Sequence, residues 1–243
     1  MEVGSICLSL VSGGFETIPG TLTSVIGSLS TKEGQEIQKA AYKAILDAYE
    51  GDRDAAWKDC ITDEKVEYIN SMVKEGVRFY TVSSMSLPRK AIEDFHWHGS
   101  LIPKGTTVLI SIFPMQHHWL LDAQAANHEE AHFGPDAHLF KPERWLNMPL
   151  GKGTSTLHFG FGAGSRMCAG HLIATRLCYS LLVRFILSFE VVASEMNPPN
   201  TDYVEYNSIK TALVAIPRDF GVKLKIRDEA WLEGLMQQEP PYN

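Results

Sequence analysis

The chain has 243 residues, 44% hydrophobic and 21% charged, which is typical of a globular protein of one or two domains. Its formal net charge of -7 argues against a nucleic-acid partner, because nucleic-acid binding requires a basic surface. The four cysteines have no paired spacing, so neither a disulfide framework nor a Cys-x-x-Cys zinc site is predicted. The chain has no apolar stretch of about 20 residues, and no basic segment precedes its apolar residues 3–11. We therefore expect neither a membrane span nor a signal peptide in it.

Three helices are predicted in the first third of the chain. Residues 1–29 indicate a helix interrupted by glycines, with distortion expected at Pro19. Residues 32–49 carry an apolar stripe at helical spacing. The charged residues 51–62 are predicted to connect this helix to a third one over residues 63–80.

The hydrophobic period changes after residue 80. Residues 81–113 indicate short strands joined by turns near Gly99 and Gly105. A long apolar helix is expected over residues 171–189. Apolar and charged side chains alternate over residues 222–226, which predicts a half-exposed strand. The sequence therefore predicts a mainly α fold with small β-sheets.

A glycine-rich segment over residues 161–170 places Cys168 directly before the long apolar helix. The positive end of that helix dipole and the nearby Arg166 both favour the thiolate form of Cys168. Phe161 offers an aromatic wall, and Arg166 can pair with a carboxylate. A thiolate, an apolar wall and a cation together suit haem, whose iron accepts an axial cysteine and whose propionates need cations. The glycines allow sharp turns and close approach to a flat ligand: Gly162, Gly164 and Gly170.

This segment resembles the haem-binding signature of the cytochrome P450 monooxygenases, Phe-x-x-Gly-x-Arg-x-Cys-x-Gly. The match is complete at Phe161, Gly164, Arg166, Cys168 and Gly170. The resemblance implies that Cys168 is the axial ligand of haem b iron and that the other four residues line the cofactor. The alternative is an ordinary buried cysteine in a glycine loop.

Glu75 and Arg78 are three residues apart on the third predicted helix, so their side chains share a face. Taken alone they indicate a surface salt bridge worth little. In the family that the chain resembles, a Glu-x-x-Arg pair joins the arginine of a Pro-Glu-Arg segment in a buried triad that supports the cysteine loop. Here that arginine is Arg144, and the implied role of the three residues is structural.

Residues 13–17 resemble the distal-helix motif of the same family. By that resemblance Gly13 and Gly14 leave room beside the iron, Thr17 hydrogen-bonds the bound oxygen, and Glu16 relays protons from solvent. Arg89 is similar to an arginine that pairs with a haem propionate, although a solvated loop cation is the alternative.

A competing metal motif is present at His128, Glu129 and His132, which satisfy the His-Glu-x-x-His pattern of zinc proteases. That chemistry needs a stable helix, whereas Gly134 and Pro135 follow at once. The same stretch resembles a loop of the haem family, so zinc chemistry is disfavoured. The adjacent His117 and His118 are expected to be solvated or packed.

The resemblance covers essentially the whole chain, but members of the family are considerably longer. We therefore expect residues 1–243 to form a single partial cytochrome P450 domain that lacks the N-terminal half and its membrane anchor. Its successive parts are the distal haem helix (1–29), the Glu-x-x-Arg helix (63–80), a small β region (81–113), the meander and cysteine loop (114–170), the proximal helix (171–189) and a C-terminal β region (190–243).

The implied function is a monooxygenase that inserts one oxygen atom from O2 into an apolar organic substrate, in fungal secondary metabolism or small aromatic hydroxylation. Electrons would come from NADPH through a separate cytochrome P450 reductase. Full-length relatives would reside at the cytosolic face of the endoplasmic reticulum membrane, and this chain would be cytosolic or peripheral.

The pocket would include Phe15, residues 84–87 and residues 212–214. Two alternatives stay open: an inactive remnant that binds haem weakly or not at all, and a thiolate–haem isomerase or dehydratase.

Overall fold

The computed structural model describes residues 2–83, 88–108, 133–146, 159–162, 164–203, 205–209, 212 and 214–238. The α-helices within them are α1 Glu2–Ser30, α2 Lys32–Ala48, α3 Arg53–Asp59, α4 Glu67–Phe79, α5 His171–Ser188 and α6 Glu229–Gln238. The strands are β1 Arg89–Lys90, β2 Phe95–Trp97, β3 Ser100–Ile102, β4 Thr107–Val108, β5 Phe189–Ala193 and β6 Val222–Ile226. The prediction of a mainly α fold with small sheets is confirmed.

The helices α1, α2, α4 and α5 pack around one hydrophobic core. Its fully buried side chains include Leu29, Ile45, Ile69, Met72 and Leu182. Burial of each such side chain stabilises the fold by roughly 1.5–3 kcal/mol. This core fixes the positions of α4 and α5, which carry or adjoin most of the predicted site residues.

Two glycines let α1 approach its neighbours closely. A Cβ atom on Gly34 would lie 2.1 Å from the carbonyl oxygen of Ser28, and one on Gly76 would lie 2.6 Å from Cγ2 of Val25. Both distances are far below van der Waals contact. Any larger residue would therefore push α2 or α4 away from α1.

Several helix boundaries differ from those predicted. α1 is continuous through Pro19 and its glycines, because burial of its C-terminal half outweighs their weak helix propensity. α3 lies inside the predicted connector 51–62, where Asp52 caps it by accepting a hydrogen bond from the N–H of Ala55 at 2.9 Å. A helix of seven residues is too short to show a periodic stripe. α4 begins at Glu67 rather than at residue 63.

The strands form three antiparallel pairs, β1 with β4, β2 with β3 and β5 with β6. The β2–β3 hairpin turns through His98 and Gly99, whose φ angles are 47° and 80°. Such left-handed conformations match the tight turns preferred in hairpins. The predicted strand over residues 222–226 is confirmed as β6, with Phe189 opposite Ile226.

The C-terminal helix α6 lies in the segment predicted to be β region, and an aromatic and ionic cluster holds it to α3. The indole N–H of Trp231 donates to Oδ1 of Asp54 at 2.7 Å, and its ring meets that of Trp57 edge-on with centroids 5.9 Å apart. Arg53 lies 4.9 Å from the Trp231 ring centroid and pairs with Asp228 at 2.9 Å. The end of the described chain is thus tied to the helical core.

Among the described helices, α5 alone has the length and hydropathy of a membrane span, with a mean hydropathy of 1.3 over 18 residues. Its side chains Leu182, Val183 and Ile186 are buried in the core. We therefore interpret α5 as a core helix.

Candidate functional site

The four cysteines fall into two classes. Cys60 and Cys178 are buried, whereas Cys7 and Cys168 are exposed. Burial raises the pKa of the Cys178 thiol to about 12 and also raises the pKa of Cys60, so both stay protonated. Cys60 and Cys178 therefore pack inside the protein, whereas the exposed Cys7 does not. Because Cys168 is exposed, it is not an ordinary buried cysteine.

Cys168 lies between a 3₁₀ helix at Gly164–Arg166 and the start of α5. Its N–H donates to the carbonyl oxygen of Phe161 at 2.9 Å, which closes the loop. Gly162 and Gly164 have φ angles of 76° and 65°, a left-handed conformation that glycine adopts without steric cost. The loop therefore presents an exposed thiol at the N-terminus of α5.

Gly170 precedes α5 directly and leaves one side of the thiol open. A Cβ atom at this position would lie 3.9 Å from Sγ of Cys168, in van der Waals contact with it. The carbonyl of Gly170 accepts the hydrogen bond of the Ala174 N–H at 2.9 Å, so Gly170 also begins the helix. A methyl group at this position would therefore touch the sulfur without crowding it.

Two arginines lie at the cysteine loop. Arg89, in β1, has its Nη1 atom 3.9 Å from the position that a Cβ of Gly164 would occupy. Arg166 is exposed at the end of the 3₁₀ helix. The structure thus brings Arg89 to the loop from a distant part of the sequence. Its role as a propionate partner stays a prediction.

Glu75 and Arg78 are completely buried on α4 and form a bidentate ion pair. Nε of Arg78 donates to Oε2 of Glu75 at 2.8 Å, and Nη2 donates to Oε1 at 2.7 Å. Arg78 also donates to the carbonyls of Ala137 and Leu139, at 2.9 and 3.1 Å. Because both charges are buried and hydrogen-bonded, this is not a surface salt bridge.

Arg144 joins this pair at a longer distance. Its Nε lies 3.6 Å from Oε1 of Glu75, which is an ion pair without a hydrogen bond. Its other nitrogens donate to Oδ1 and the carbonyl oxygen of Asp136, at 2.7 and 2.8 Å. Hydrogen bonds from Lys141 and Arg144 lower the pKa of Asp136 to about 2. The three predicted residues are therefore together, with Asp136 as an additional anion.

Two further donors to Glu75 are not predicted from the sequence. The indole N–H of Trp145 donates to Oε2 at 2.9 Å, and the backbone N–H of Lys141 donates to Oε1 at 2.8 Å. Trp145 follows Arg144 directly in the sequence. That adjacency to a residue of the predicted triad is the signal that could have identified Trp145 as a partner of Glu75. The described contacts join the cluster to residues 133–145. Its support of the cysteine loop stays a prediction.

The predicted distal residues lie on the exposed N-terminal part of α1. The hydroxyl of Thr17 donates to the carbonyl oxygen of Gly13 at 2.8 Å, and Glu16 is exposed. Among the described residues, a Cβ on Gly13 would meet no atom within 4 Å, and one on Gly14 would meet only Cδ1 of Ile18 at 3.9 Å. Within the described residues, this turn of α1 therefore has open space beside its two glycines. The oxygen-binding and proton-relay roles stay predictions.

These residues suit haem in their chemistry. Cys168 offers an exposed sulfur, Arg89 and Arg166 offer cations at the same loop, and Phe15 on α1 is an exposed aromatic. In the described part of the chain, no group of three or more His, Cys, Asp or Glu side chains could hold a metal ion. A single cysteine suits a metal that brings its other ligands with it, as haem iron does.

Some predicted residues lie outside the described residues, and the structure does not test them. They are the pocket residues 84–87 and 213, the pair His117 and His118, and the zinc-type residues His128, Glu129 and His132.

The fold is that of solved cytochrome P450 structures. A crystal structure of the cytochrome P450 CYP102L1 superposes with a TM-score of 0.69 at 21% identity, over 91% of this chain and 44% of that one. A zebrafish cytochrome P450 with abiraterone gives a TM-score of 0.63 at 19% identity, over 86% of this chain and 43% of that one. At these identities the likeness establishes the fold alone.

The sequence profile of the cytochrome P450 family matches residues 1–217, and the chain belongs to this family. Phenylacetate 2-hydroxylase of Emericella nidulans is 41% identical over 230 residues, which is 93% of this chain. The 3-hydroxyphenylacetate 6-hydroxylase of the same organism is 33% identical over 237 residues, 95% of this chain. The chain spans 41% and 40% of the lengths of these two relatives. The resemblance seen in the cysteine loop is thereby confirmed as family membership.

Proposed function

We propose that this chain carries the haem-binding part of a monooxygenase, with Cys168 as the axial ligand. The observation that carries the proposal is the exposed Cys168 at the N-terminus of α5, in a glycine-rich loop that Arg89 adjoins. When bound, thiolate-ligated haem supplies the reductive activation of O2, so that one oxygen atom enters an organic substrate and the other leaves as water.

The chain's own residues hold the cofactor and move protons. Cys168 would bind the iron as a thiolate, while Arg89 and Arg166 would pair with the propionates and Phe161 would pack against the macrocycle. On α1, Thr17 holds a proton at its hydroxyl, and the exposed Glu16 connects that hydroxyl to water. Proton delivery from positioned side chains is general acid catalysis.

For the substrate we propose an arylacetate that is hydroxylated on the ring. Two relatives are named phenylacetate 2-hydroxylase and 3-hydroxyphenylacetate 6-hydroxylase. Positions 2 and 6 are both adjacent to the ring carbon that bears the acetate group. The proposed reaction is therefore hydroxylation ortho to the acetate side chain, with electrons passed from NADPH by a cytochrome P450 reductase docked near Cys168. The proposed location of this chain is cytosolic or peripheral, with its full-length relatives at the cytosolic face of the endoplasmic reticulum membrane.

Turnover with labelled oxygen tests this function. The haem-loaded chain is incubated with phenylacetate, NADPH and cytochrome P450 reductase under isotopically labelled O2, and products are identified by mass spectrometry and chromatography. We expect 2-hydroxyphenylacetate that carries one labelled oxygen atom. Hydroxylation at another ring position would overturn the ortho assignment. If the haem-loaded chain forms no labelled product, the proposed hydroxylase activity is overturned.

A second candidate is a chain that binds haem weakly or not at all. It is favoured by the apolar side chains that α1 leaves uncovered, since Leu8, Val11 and Phe15 are 70%, 66% and 75% exposed. Haem titration separates the two candidates, because the second predicts no saturable uptake. Turnover of a substrate without reductase would instead favour the isomerase or dehydratase.

A further inference from the structure

The side chain of His171 contacts the backbone of Cys168. Nδ1 of His171 lies 2.9 Å from the carbonyl oxygen of Cys168. Because a carbonyl oxygen can only accept, Nδ1 carries the proton and donates. The backbone N–H of His171 donates to the same oxygen at 3.3 Å. The carbonyl of Cys168 is therefore held twice by one residue, and the shorter bond comes from the side chain.

Phe161 completes a clamp around Cys168. Its carbonyl oxygen accepts the N–H of Cys168 at 2.9 Å, and its ring centroid lies 6.1 Å from that of His171. Both backbone polar groups of Cys168 are thus fixed, one by Phe161 and one by His171, and the two rings lie next to each other. Such contacts hold the backbone of Cys168, and with it the direction of the Cα–Cβ bond, in place relative to the loop.

We propose that His171 is a positioning residue for Cys168: its Nδ1–H fixes the cysteine backbone and so sets the direction of the Cα–Cβ bond that carries the thiol. This inference rests on the proposed function, in which Cys168 binds iron. Hydrogen bonds around a metal ligand orient it and tune the metal. When haem is bound, this donor would also add a partial positive charge near the ligand loop, which favours the reduced state.

Two substitutions separate the hydrogen bond from simple packing. His171→Asn keeps a side-chain N–H at the position of Nδ1, whereas His171→Leu keeps a similar branch without a donor. In the haem-loaded full chain we expect His171→Leu to have a more negative reduction potential than wild type. In the ferrous–carbon monoxide spectrum of His171→Leu, the fraction of haem that lacks the thiolate-type Soret band should be several-fold larger than in wild type. His171→Asn should stay close to wild type in both readouts.

A second measurement does not depend on haem. Amide hydrogen exchange of the loop peptide is followed by mass spectrometry in the haem-free full chain. The loss of one neutral hydrogen bond should speed exchange by about 3–10-fold in His171→Leu. His171→Asn should exchange at the wild-type rate. Far-ultraviolet circular dichroism verifies that both variants are folded.

The outcomes distinguish this inference from the proposed function. A folded His171→Leu chain with wild-type loop exchange overturns the clamp, whether or not haem binds. So does a His171→Asn chain that behaves like His171→Leu. Exchange that is faster in His171→Leu but not in His171→Asn supports the clamp. If the wild-type chain then shows no thiolate spectrum, that result counts against the proposed function only.

Discussion

The indole N–H of Trp145 donates to Oε2 of Glu75 at 2.9 Å, inside a protein core where Glu75 is fully buried. The same carboxylate accepts two hydrogen bonds from Arg78 and one from the backbone N–H of Lys141. A buried carboxylate is stable only when its charge is paired and its oxygens are hydrogen-bonded. Glu75 therefore helps to attach the short segment that contains Trp145 to α4.

Removal of that charge should be strongly destabilising. Glu75→Gln leaves Arg78 as an uncompensated buried cation, and we expect a loss of about 3–5 kcal/mol in the free energy of unfolding. Urea denaturation measures it. The control is Glu36→Gln, because Glu36 is 77% exposed in its pair with Lys39 and should change stability by less than about 0.5 kcal/mol. A loss below about 1 kcal/mol in Glu75→Gln would contradict the proposed role of the anion.

Trp145→Phe tests the indole hydrogen bond separately. Phenylalanine keeps an aromatic ring next to Phe133 but has no donor for Glu75. A hydrogen bond to a charged group stabilises by about 1.5–3 kcal/mol, and thermal or urea unfolding should show a loss of that size. Trp97→Phe, at a site that is 64% exposed, should be nearly neutral. Equal effects of the two substitutions would refute a specific bond from Trp145.

Asp136 should make stability depend on acid pH. Its folded-state pKa of about 2 lies below the ordinary value of 3.8 for aspartate, because Lys141 and Arg144 hydrogen-bond to it. The stabilisation is therefore complete above about pH 4 and is lost as pH falls toward 2. Since Asp136 is partly exposed, solvent screening limits this stabilisation to about 1 kcal/mol.

The substitution Asp136→Asn tests how much the charge of Asp136 contributes to stability. Urea unfolding between pH 7 and pH 2 should show a variant that is less stable than wild type at neutral pH. The difference should shrink as the pH approaches 2. A stability difference that stays constant over this range would show that the Asp136 charge does not contribute.

The signature residues of the site could be predicted because their chemistry is encoded in short sequence motifs. The Cys168 loop and the Glu75–Arg78 spacing fall into this class. Asp136 and Lys141 could not be predicted, because their contacts depend on how residues 133–145 fold back onto α4. In the same way, α3 and α6 are short helices stabilised by tertiary contacts such as that of Trp231 with Asp54. Local periodicity does not report such contacts.

Trp231→Ala tests the cluster that ties α6 to α3. This part of the chain lies beyond residue 217, where the match to the family profile ends. The substitution removes the hydrogen bond to Asp54 and the ring contact with Trp57, and we expect a loss of about 2 kcal/mol in unfolding free energy. Met236→Ala is the matched control, because Met236 is 73% exposed on the same helix. If both variants lose the same stability, the cluster does not hold the helix.

The ferrous–carbon monoxide difference spectrum tests most directly whether Cys168 is the thiolate ligand of haem. The wild-type chain is loaded with haem, reduced with dithionite and exposed to carbon monoxide beside Cys168→Ala and Cys7→Ala. The second variant removes the other exposed cysteine and serves as the control. We predict the Soret band typical of thiolate ligation in wild type and Cys7→Ala, and its loss in Cys168→Ala. A thiolate band that survives in Cys168→Ala would contradict the assignment.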